Sequence, residues 1–278
     1  MRVWFEGKLH QGPLGLSPLD RGLTLGDGIF ETLLVQQGVA LWRFEHLQRM
    51  AAAAAELAIA FPQDAIENAI DGLCHTTKTT QVLRLTLSRG EGGRGLAAQS
   101  KLPTLIATLD RFDERLQFQP LTLITSNISR NENSPLSRMK TLSYLEQVMA
   151  AREALSQQAD DALMLNSRAR VACSTIGNVF LWLEDVLVTP SLSEGVLPGV
   201  MRGAVLKTAA DLGIKTRQRQ VRASELALAS AVYVTNSLRY VRQVTHIDRQ
   251  RFSAKANPKM NAIVENLLRM TQEQIVLS

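Results

Sequence analysis

The sequence predicts a two-domain α/β chain, on three observations. Its 278 residues are enough for two hydrophobic cores. Stretches of clean alternation, such as Gln81-Val-Leu-Arg-Leu-Thr-Leu-Ser88, are interleaved with stretches of helical period, such as Arg43 to Ala60. A polar piece, Asp110-Arg-Phe-Asp-Glu-Arg115, separates the halves. Residues 1–110 are read as a smaller N-terminal α/β domain, 111–116 as a linker and 117–278 as a larger C-terminal domain.

In the first half, Val3-Trp4-Phe5 reads as a strand and Glu6-Gly7 as a turn. Asp20 to Val35 follows, with glycine-bearing turns at Arg21-Gly22 and Gly26-Asp27-Gly28 and a strand from Ile29 to Val35. Gln37-Gly38 is a hairpin signal, with Val39 to Trp42 returning. Phe44, Leu47, Met50, Ala51, Ala54, Leu57 and Ala58 then recur at helical spacing, and His46 and Arg49 share a face of that helix. A second helix, about Gln63 to Cys74, begins after Pro62. Gln81 to Ser88 and Pro103 to Leu109 are strands, joined through Arg89-Gly-Glu-Gly-Gly-Arg-Gly95 and a short linker, Leu96 to Lys101.

The second half opens with a strand, Leu121 to Ser126. Pro135 argues against helix, and Ser143 with Glu146 reads as a capping box that starts a helix running to about Gln157. Leu145, Val148, Met149 and Leu155 are taken as its buried face. Asp161 to Leu165 is a strand, Val171 to Leu183 contains another centred on Val179 to Trp182, and Val186 to Thr189 is a third. A helix runs from Leu197-Pro-Gly-Val-Met-Arg202 to Leu212 and stops at Gly213. Ser224 to Ala229 is a short helix, Ala231 to Val234 a strand ending in Thr235-Asn-Ser237, and Pro258 to about Gln274 a final helix.

Composition excludes several functions. Aromatic residues make up 5%, too few for a base-stacking nucleic-acid platform, and no dense Lys/Arg run accompanies the net charge of +5. That mild basicity suits a small anionic substrate or a phosphate-bearing cofactor. Cys74 and Cys173 lack metal-ligand or disulfide-framework spacing, so no metal site is expected. No stretch has the uninterrupted apolar length of a membrane span, and the charged N-terminus is unlike a signal peptide. A cytoplasmic location is the default expectation.

Lys140 is the residue with the oddest setting. It lies between Met139 and Leu142, just ahead of an expected helix N-terminus. The dipole and partial burial both disfavour a cation there. Both favour the neutral amine, the form that attacks a carbonyl to make a Schiff base. A solvated loop lysine is the plainer alternative. Gly90, Gly92 and Gly95 satisfy G-x-G-x-x-G, but a strand rather than a helix follows, so a dinucleotide fingerprint is rejected. Arg89 and Arg94, set among these glycines, can grip carboxylates bidentately; a mobile surface loop is the alternative. Gly199-Val-Met-Arg202, at a helix start, is a candidate anion site, and Arg49 a candidate phosphate partner.

Several motifs in order resemble one family. They are Asp20-Arg-Gly-x-x-x-Gly-Asp-Gly-x-Phe-Glu-Thr32, Glu45-His-Leu-Gln-Arg49, Ser88-Arg-Gly-x-Gly-Gly-Arg-Gly95, Lys140 with Leu145-Glu-Gln147, Asp161-Ala-Leu, Asn178-Val-Phe180, Gly199-Val-Met-Arg202 and Thr235-Asn-Ser237. Together they are similar to the fold-type IV pyridoxal-phosphate enzymes: branched-chain and D-amino-acid aminotransferases and aminodeoxychorismate lyases. The glycine loop, the Leu-Glu-Gln and the Gly-Val-Met-Arg turn look most like the lyases. The resemblance implies a D-amino-acid aminotransferase-like α+β/α/β two-domain fold (fold type IV), with the cofactor between the domains. It implies that the C-terminal domain carries both the lysine and the phosphate cradle. Lys140 would be the Schiff-base lysine; Arg49, the amides of Val200 and Met201, and Ser237 would hold the phosphate of pyridoxal 5'-phosphate. Phe30, Arg89 and Arg94 would lie near the substrate, and the resemblance implies a homodimer without saying which subunit supplies Arg94. Thr32 and Tyr144 are candidates for protonating the leaving group.

One position departs from the pattern. The family has a glutamate five residues before the asparagine of its Asn-x-Phe motif, where it pairs with the pyridine nitrogen; here that position is Cys173. A neutral pyridine is a weaker electron sink. An aminotransferase needs that sink more than a lyase whose elimination creates an aromatic ring. The expected activity is therefore conversion of 4-amino-4-deoxychorismate to 4-aminobenzoate and pyruvate, a step toward folate. The alternatives are a D- or branched-chain amino-acid aminotransferase, or a chain that has lost conventional cofactor chemistry and acts as a binding protein.

Overall fold

A computed structural model describes residues 1–97, 100, 102–253, 255 and 257–277. The chain divides into two compact units. The first holds Met1–Glu114, Met139–Ser143 and Glu273–Ser278; the second holds Arg115–Arg138 and Tyr144–Gln272. The segment around Lys140 thus belongs to the first unit, whereas the sequence reading assigned it to the C-terminal domain. Of the linker expected over 96–101, residues 98, 99 and 101 lie outside the described residues.

The first unit contains β1 (Arg2–Phe5), β2 (Lys8–His10), α1 (Arg21–Leu25), β3 (Gly28–Gln36), β4 (Val39–Ala40), α2 (Arg43–Glu56), α3 (Gln63–Cys74), β5 (Gln81–Ser88) and β6 (Thr104–Arg111). Its sheet has the order β2-β1-β6-β5-β3-β4, and the pairings along it are antiparallel. Alternation decides which side packs. Ile29, Leu33, Val35, Leu83, Leu85 and Leu109 join Met50, Ala54, Ile66 and Ile70 in one buried cluster. Each such aliphatic side chain contributes roughly 1.5–3 kcal/mol of transfer free energy. The segment read as two glycine turns is helix α1, because Asp20 accepts hydrogen bonds from Gly22 N at 2.8 Å and Leu23 N at 3.4 Å.

The second unit contains β7 (Leu121–Thr125), α4 (Leu145–Ser156), β8 (Asp161–Leu165), β9 (Val171–Ser174), β10 (Asn178–Leu183), β11 (Val186–Pro190), α5 (Val200–Asp211), β12 (Thr216–Arg219), β13 (Ala231–Asn236), β14 (Tyr240–Ile247), β15 (Gln250–Arg251) and most of α6 (Pro258–Val276). The strands run β12-β11-β10-β13-β14-β7-β8-β9, and β9 also pairs with β10, so the sheet closes on itself. Leu121, Leu163, Val171, Val179, Val232, Val234 and Val244 fill the inside of this ring. Residues of opposite parity face outward.

Two expectations about α4 fail. Tyr144, not Ser143, occupies the N-cap, and no side-chain cap hydrogen bond forms. Glu146 is drawn instead toward Arg130, at 3.6 Å. The buried face is Gln147, Ala150 and Ala154, small enough for the helix to lie close to β7 and β8. Leu145, Val148, Met149 and Leu155, the expected buried face, are exposed. Pro135 does not exclude helix: it opens a short 3-10 turn, Pro135–Arg138, where its missing N–H costs nothing. Val171 to Leu183 is two strands, β9 and β10. Among the described residues no helix is long and apolar enough to cross a membrane.

Candidate active site

Lys140 is seated by backbone pairing. The segment Lys140–Leu142 lies against the free edge of β3: Phe30 N donates to Lys140 O at 2.8 Å, Leu142 N donates to Gly28 O at 2.9 Å, and Ile29 bridges Thr141. Thr141 therefore shares the buried side of Ile29, and Lys140 shares the side of Phe30. Gly28 is required there, since a Cβ would stand 2.6 Å from Leu87 O and 2.7 Å from Leu142 Cδ1. Lys140 Nζ lies 4.2 Å from the centre of the Phe30 ring. The Arg84 guanidinium carbon lies 3.8 Å from the same centre. Desolvation lowers the Lys140 pKa to about 8, with Arg49 and Arg84 pushing the same way and Glu31 opposing. Roughly a tenth to a fifth of such an amine is neutral near physiological pH, far more than of an ordinary lysine, as a nucleophile or proton carrier needs.

The charge that opposes is a buried carboxylate. Glu31 is 1% exposed, on the core side of β3. Arg49 Nε donates to its Oε1 at 2.7 Å, and Arg49 Nη2 to its Oε2 at 2.6 Å. His46 Nδ1 lies 2.7 Å from Oε2. Burial alone would raise the Glu31 pKa; Arg49 and His46 outweigh it and hold it at about 2. Helical spacing of His46 and Arg49 along α2 delivers both to one carboxylate. Glu31 carried no assignment in the sequence reading. Its signal was there, as the one acid among the apolar Ile29, Leu33 and Val35 on that side of the strand.

The glycine loop is built differently from expectation. Arg89 Nε donates to Asp27 Oδ2 at 2.7 Å, and its Nη1 and Nη2 reach Ala58 O and Leu57 O at the end of α2, at 2.8 and 2.7 Å. Arg21 Nε also binds Asp27, at 2.9 Å, and its Nη atoms donate to Gly95 O and Leu96 O at 2.9 and 2.7 Å. Arg89 thus braces Asp27 against the end of α2. Gly92 is there because a Cβ would meet Arg21 Cδ at 2.6 Å. Arg94 is exposed on the loop. The cation beside Phe30 and Lys140 is Arg84, which the sequence reading passed over as one polar member of an alternating strand.

In the second unit, one row of paired residues crosses three strands: Cys173 on β9, Asn178 on β10 and Thr235 on β13. All three face outward from the ring. Asn178 Nδ2 donates to Leu197 O at 2.9 Å, fixing the turn that enters α5. A Cβ on Gly199 would stand 2.0 Å from Asn178 Oδ1. Gly199 is the N-cap of α5 and gives no side-chain cap, so Val200 and Met201 open a helix whose first amides are uncapped. Thr235 Oγ1, in a residue 1% exposed, has no partner among the described residues. Uncapped amides at a helix N-terminus with a nearby orphaned hydroxyl fit a phosphate monoester. Ser237 lies in the turn after β13, where Asn236 Oδ1 accepts from Leu238 N at 3.1 Å and Arg239 N at 2.8 Å.

Cys173 packs with Ile128, Ala150, Ala154 and Met164. Desolvation pushes its thiol up to about 11, against a smaller opposing effect of Arg130. It is a neutral thiol, and no thiolate stands there at neutral pH. Asp161, the nearest buried acid in sequence, has the opposite parity on β8 from Met164, the partner of Cys173, and its Oδ1 receives Thr175. Among the described residues no cluster of His, Cys, Asp or Glu could hold a metal ion.

Comparison with known proteins gives a consistent picture. Residues 28–247 match the amino-transferase class IV family. The structure is similar to 4-amino-4-deoxychorismate lyase from Pseudomonas aeruginosa, with a TM-score of 0.82 and 30% identity over 98% of this chain and 97% of that one. The sequence is 27% identical to the aminodeoxychorismate lyase of Bacillus subtilis, over 89% of this chain and 87% of that protein. It is also 27% identical to the branched-chain-amino-acid aminotransferase of Pseudomonas aeruginosa, over 91% and 86%.

Proposed function

The chain belongs to the class IV aminotransferases, the fold-type IV pyridoxal-phosphate enzymes, and from that membership we propose that it is a lyase converting 4-amino-4-deoxychorismate to 4-aminobenzoate and pyruvate. The observation that carries this choice is the neutral thiol of Cys173. It offers no carboxylate to a ring nitrogen, which penalises transamination more than an elimination driven by aromatisation. Identity to relatives is alike for both reactions, so the support for the lyase comes from the thiol.

Pyridoxal phosphate, when bound, supplies an aldehyde and an electron-accepting ring. The residues of this chain do the rest. Lys140 Nζ would hold the aldehyde, and as an amine it would take the proton from the ring carbon bearing the substrate's amino group. Its pKa of about 8 lets it serve as base and then carry that proton. In the first unit, Arg49 offers its guanidinium to phosphate, oriented by Glu31. In the second, the amides of Val200 and Met201, Thr235 Oγ1 and Ser237 offer neutral donors. Arg84, beside Phe30, offers a guanidinium to a substrate carboxylate. The exposed Leu145, Val148 and Met149 on α4 form an apolar stripe that a second copy of the chain would cover.

The test is a product assay on 4-amino-4-deoxychorismate with no keto acid added. Release of equal amounts of 4-aminobenzoate and pyruvate, abolished in Lys140→Ala, is expected. A requirement for 2-oxoglutarate would assign an aminotransferase instead. A chain that takes up no pyridoxal phosphate would sink both enzyme readings.

A further inference from the structure

The glycine loop that follows β5, residues 90–96, is held far more firmly than its composition suggests. At its base, Gly90 N donates to Ser88 Oγ at 3.0 Å, Gly90 O accepts from Arg21 N at 2.9 Å, and Gly92 N donates to Leu19 O at 3.4 Å. Further out, one side chain holds it. Arg21 is 5% exposed, and its Nη1 and Nη2 donate to Gly95 O and Leu96 O at 2.9 and 2.7 Å. Its Nε is engaged by Asp27. Charged donors make the stronger hydrogen bonds, and a planar guanidinium loses little freedom in making two of them. The two residues after Arg94 are therefore both fixed by one fork.

The helix that carries Arg21 is also seated on the Lys140 segment. A Cβ on Gly22 would stand 3.2 Å from Leu142 Cδ1, and one on Gly26 would stand 2.7 Å from Ser143 Oγ. Asp27 O accepts from Arg89 N at 3.0 Å, and the next carbonyl, Gly28 O, accepts from Leu142 N at 2.9 Å. The loop, α1, the start of β3 and the Lys140 segment thus form one connected block within the first unit. A side chain on the loop keeps a set place relative to Lys140.

The loop's outermost cation is not used inside this block. Arg94 is exposed and makes no hydrogen bond or ion pair among the described residues. Arg21 and Arg89 are both paired with Asp27. An arginine on a loose loop has backbone and side-chain freedom to lose when it grips an anion. Here the backbone on its C-terminal side is ordered beforehand, which favours binding through the one cation left exposed.

We propose that Arg21 is a positioning residue, which holds the glycine loop as a fixed arm so that Arg94 meets a carboxylate of the bound substrate. This role rests on the reading above that the chain acts on an anionic amino substrate.

Two measurements test it. In the first, the holoenzyme is digested briefly with trypsin, and the fragment ending at Arg94 is quantified by mass spectrometry. Such cleavage follows local opening of the backbone. Slow cleavage after Arg94 is expected in the unaltered chain. Arg21→Lys keeps a cation beside Asp27 but not the fork, and is expected to speed that cut about tenfold, with cleavage at other sites unchanged. Gly92→Ala, whose methyl would stand 2.6 Å from Arg21 Cδ, is expected to act in the same direction without altering Arg21 itself. In the second, kinetics are read on the lyase reaction or, if the product assay assigns it, on the aminotransferase reaction. Arg94→Gln and Arg21→Lys are each expected to raise KM for the anionic substrate about tenfold, with the effect falling on KM and not on kcat. The double variant is expected to be no worse than Arg94→Gln alone, since Arg21 acts through Arg94. Unchanged cleavage in both Arg21→Lys and Gly92→Ala, an unchanged KM in Arg94→Gln, or additive losses in the double variant would each overturn the proposal. A chain with neither reaction would refute the proposed function and the role of Arg94 with it, while the tryptic comparison would still decide whether Arg21 fixes the arm.

Discussion

The two groups of polar residues in this molecule are built on opposite principles. Around Lys140 the first unit concentrates full charges: Glu31, Arg49 and Arg84, with His46 on the same carboxylate. Their hydrogen bonds are made and their ionisation is set by one another. Around Asn178 the second unit concentrates neutral groups: a thiol, an amide, an orphaned hydroxyl and uncapped helix amides. The first arrangement tunes a proton; the second leaves donors unspent for a ligand. Low dielectric strengthens both, since a paired charge gains and an unpaired donor waits at a cost.

The largest effect is expected where the charged group is broken. Glu31→Gln leaves Arg49 and His46 without the buried anion that balances them, and loss of one partner of such a pair costs about 3–5 kcal/mol. Urea denaturation at neutral pH measures it. The acid limb distinguishes this from simple repacking. The folded pKa of about 2 lies below the ordinary 4.5, so the stabilisation is whole above about 4.5 and disappears as pH falls toward about 2. The variant is expected to show a flatter acid limb over that window. An unchanged slope would mean that Glu31 does not carry the linkage.

Gly199→Ala is the corresponding break in the neutral group. The added methyl would stand 2.0 Å from Asn178 Oδ1, so the asparagine or the helix start has to move. Overpacking of this kind costs about 1–3 kcal/mol. Weaker binding of inorganic phosphate to the cofactor-free chain is expected with it, since the amides of Val200 and Met201 move too. Normal phosphate affinity in this variant would remove the α5 N-terminus from the proposed cradle.

The same contrast explains how much was legible in the sequence. Strand β5 and helix α3 were read with their observed bounds, because alternation and helical period are local signals. Strand β14 was not read, since Tyr-Val-Arg-Gln-Val-Thr-His-Ile mixes charge into its alternation. The neutral group was largely visible as motifs, because a helix start and a strand end are local. Of the charged group, Lys140, Arg49 and His46 stood out in the sequence, and Glu31 and Arg84 did not. Lys140 reaches β3 through pairing with Phe30 and Gly28, more than a hundred residues earlier in the chain. That pairing placed it in the first unit and brought Arg84 beside it. The leucines of α4 misled for a related reason: the helix needed its alanines to sit close to the barrel, so the larger side chains were turned outward.

Cys173→Glu tests whether the neutrality of the second group is functional. A carboxylate there is expected to tighten retention of pyridoxal phosphate by about tenfold, equivalent to about 1.4 kcal/mol. It is read as slower cofactor loss on dialysis. The thiol itself is expected to stay protonated until pH approaches about 11, followed by thiolate absorbance in the cofactor-free chain. Thiolate already present at pH 8 would remove the argument that favours elimination over transamination.

The finest test acts on the charged group without breaking it. Lys140 is expected to titrate with a midpoint near pH 8, read from the pH dependence of its acylation in the cofactor-free chain. Its folded pKa lies below the ordinary 10.5, so the unfolded chain binds the extra proton between those values. Stability from this residue therefore rises with pH across that window, with the same sign as the acid-side behaviour of Glu31. Two substitutions are expected to move the midpoint in opposite directions. Arg84→Met removes a repelling cation and raises it, while Glu31→Gln removes an attracting anion and lowers it. An unmoved midpoint in both variants would mean that desolvation alone sets the amine, and that the neighbouring charges do not tune it.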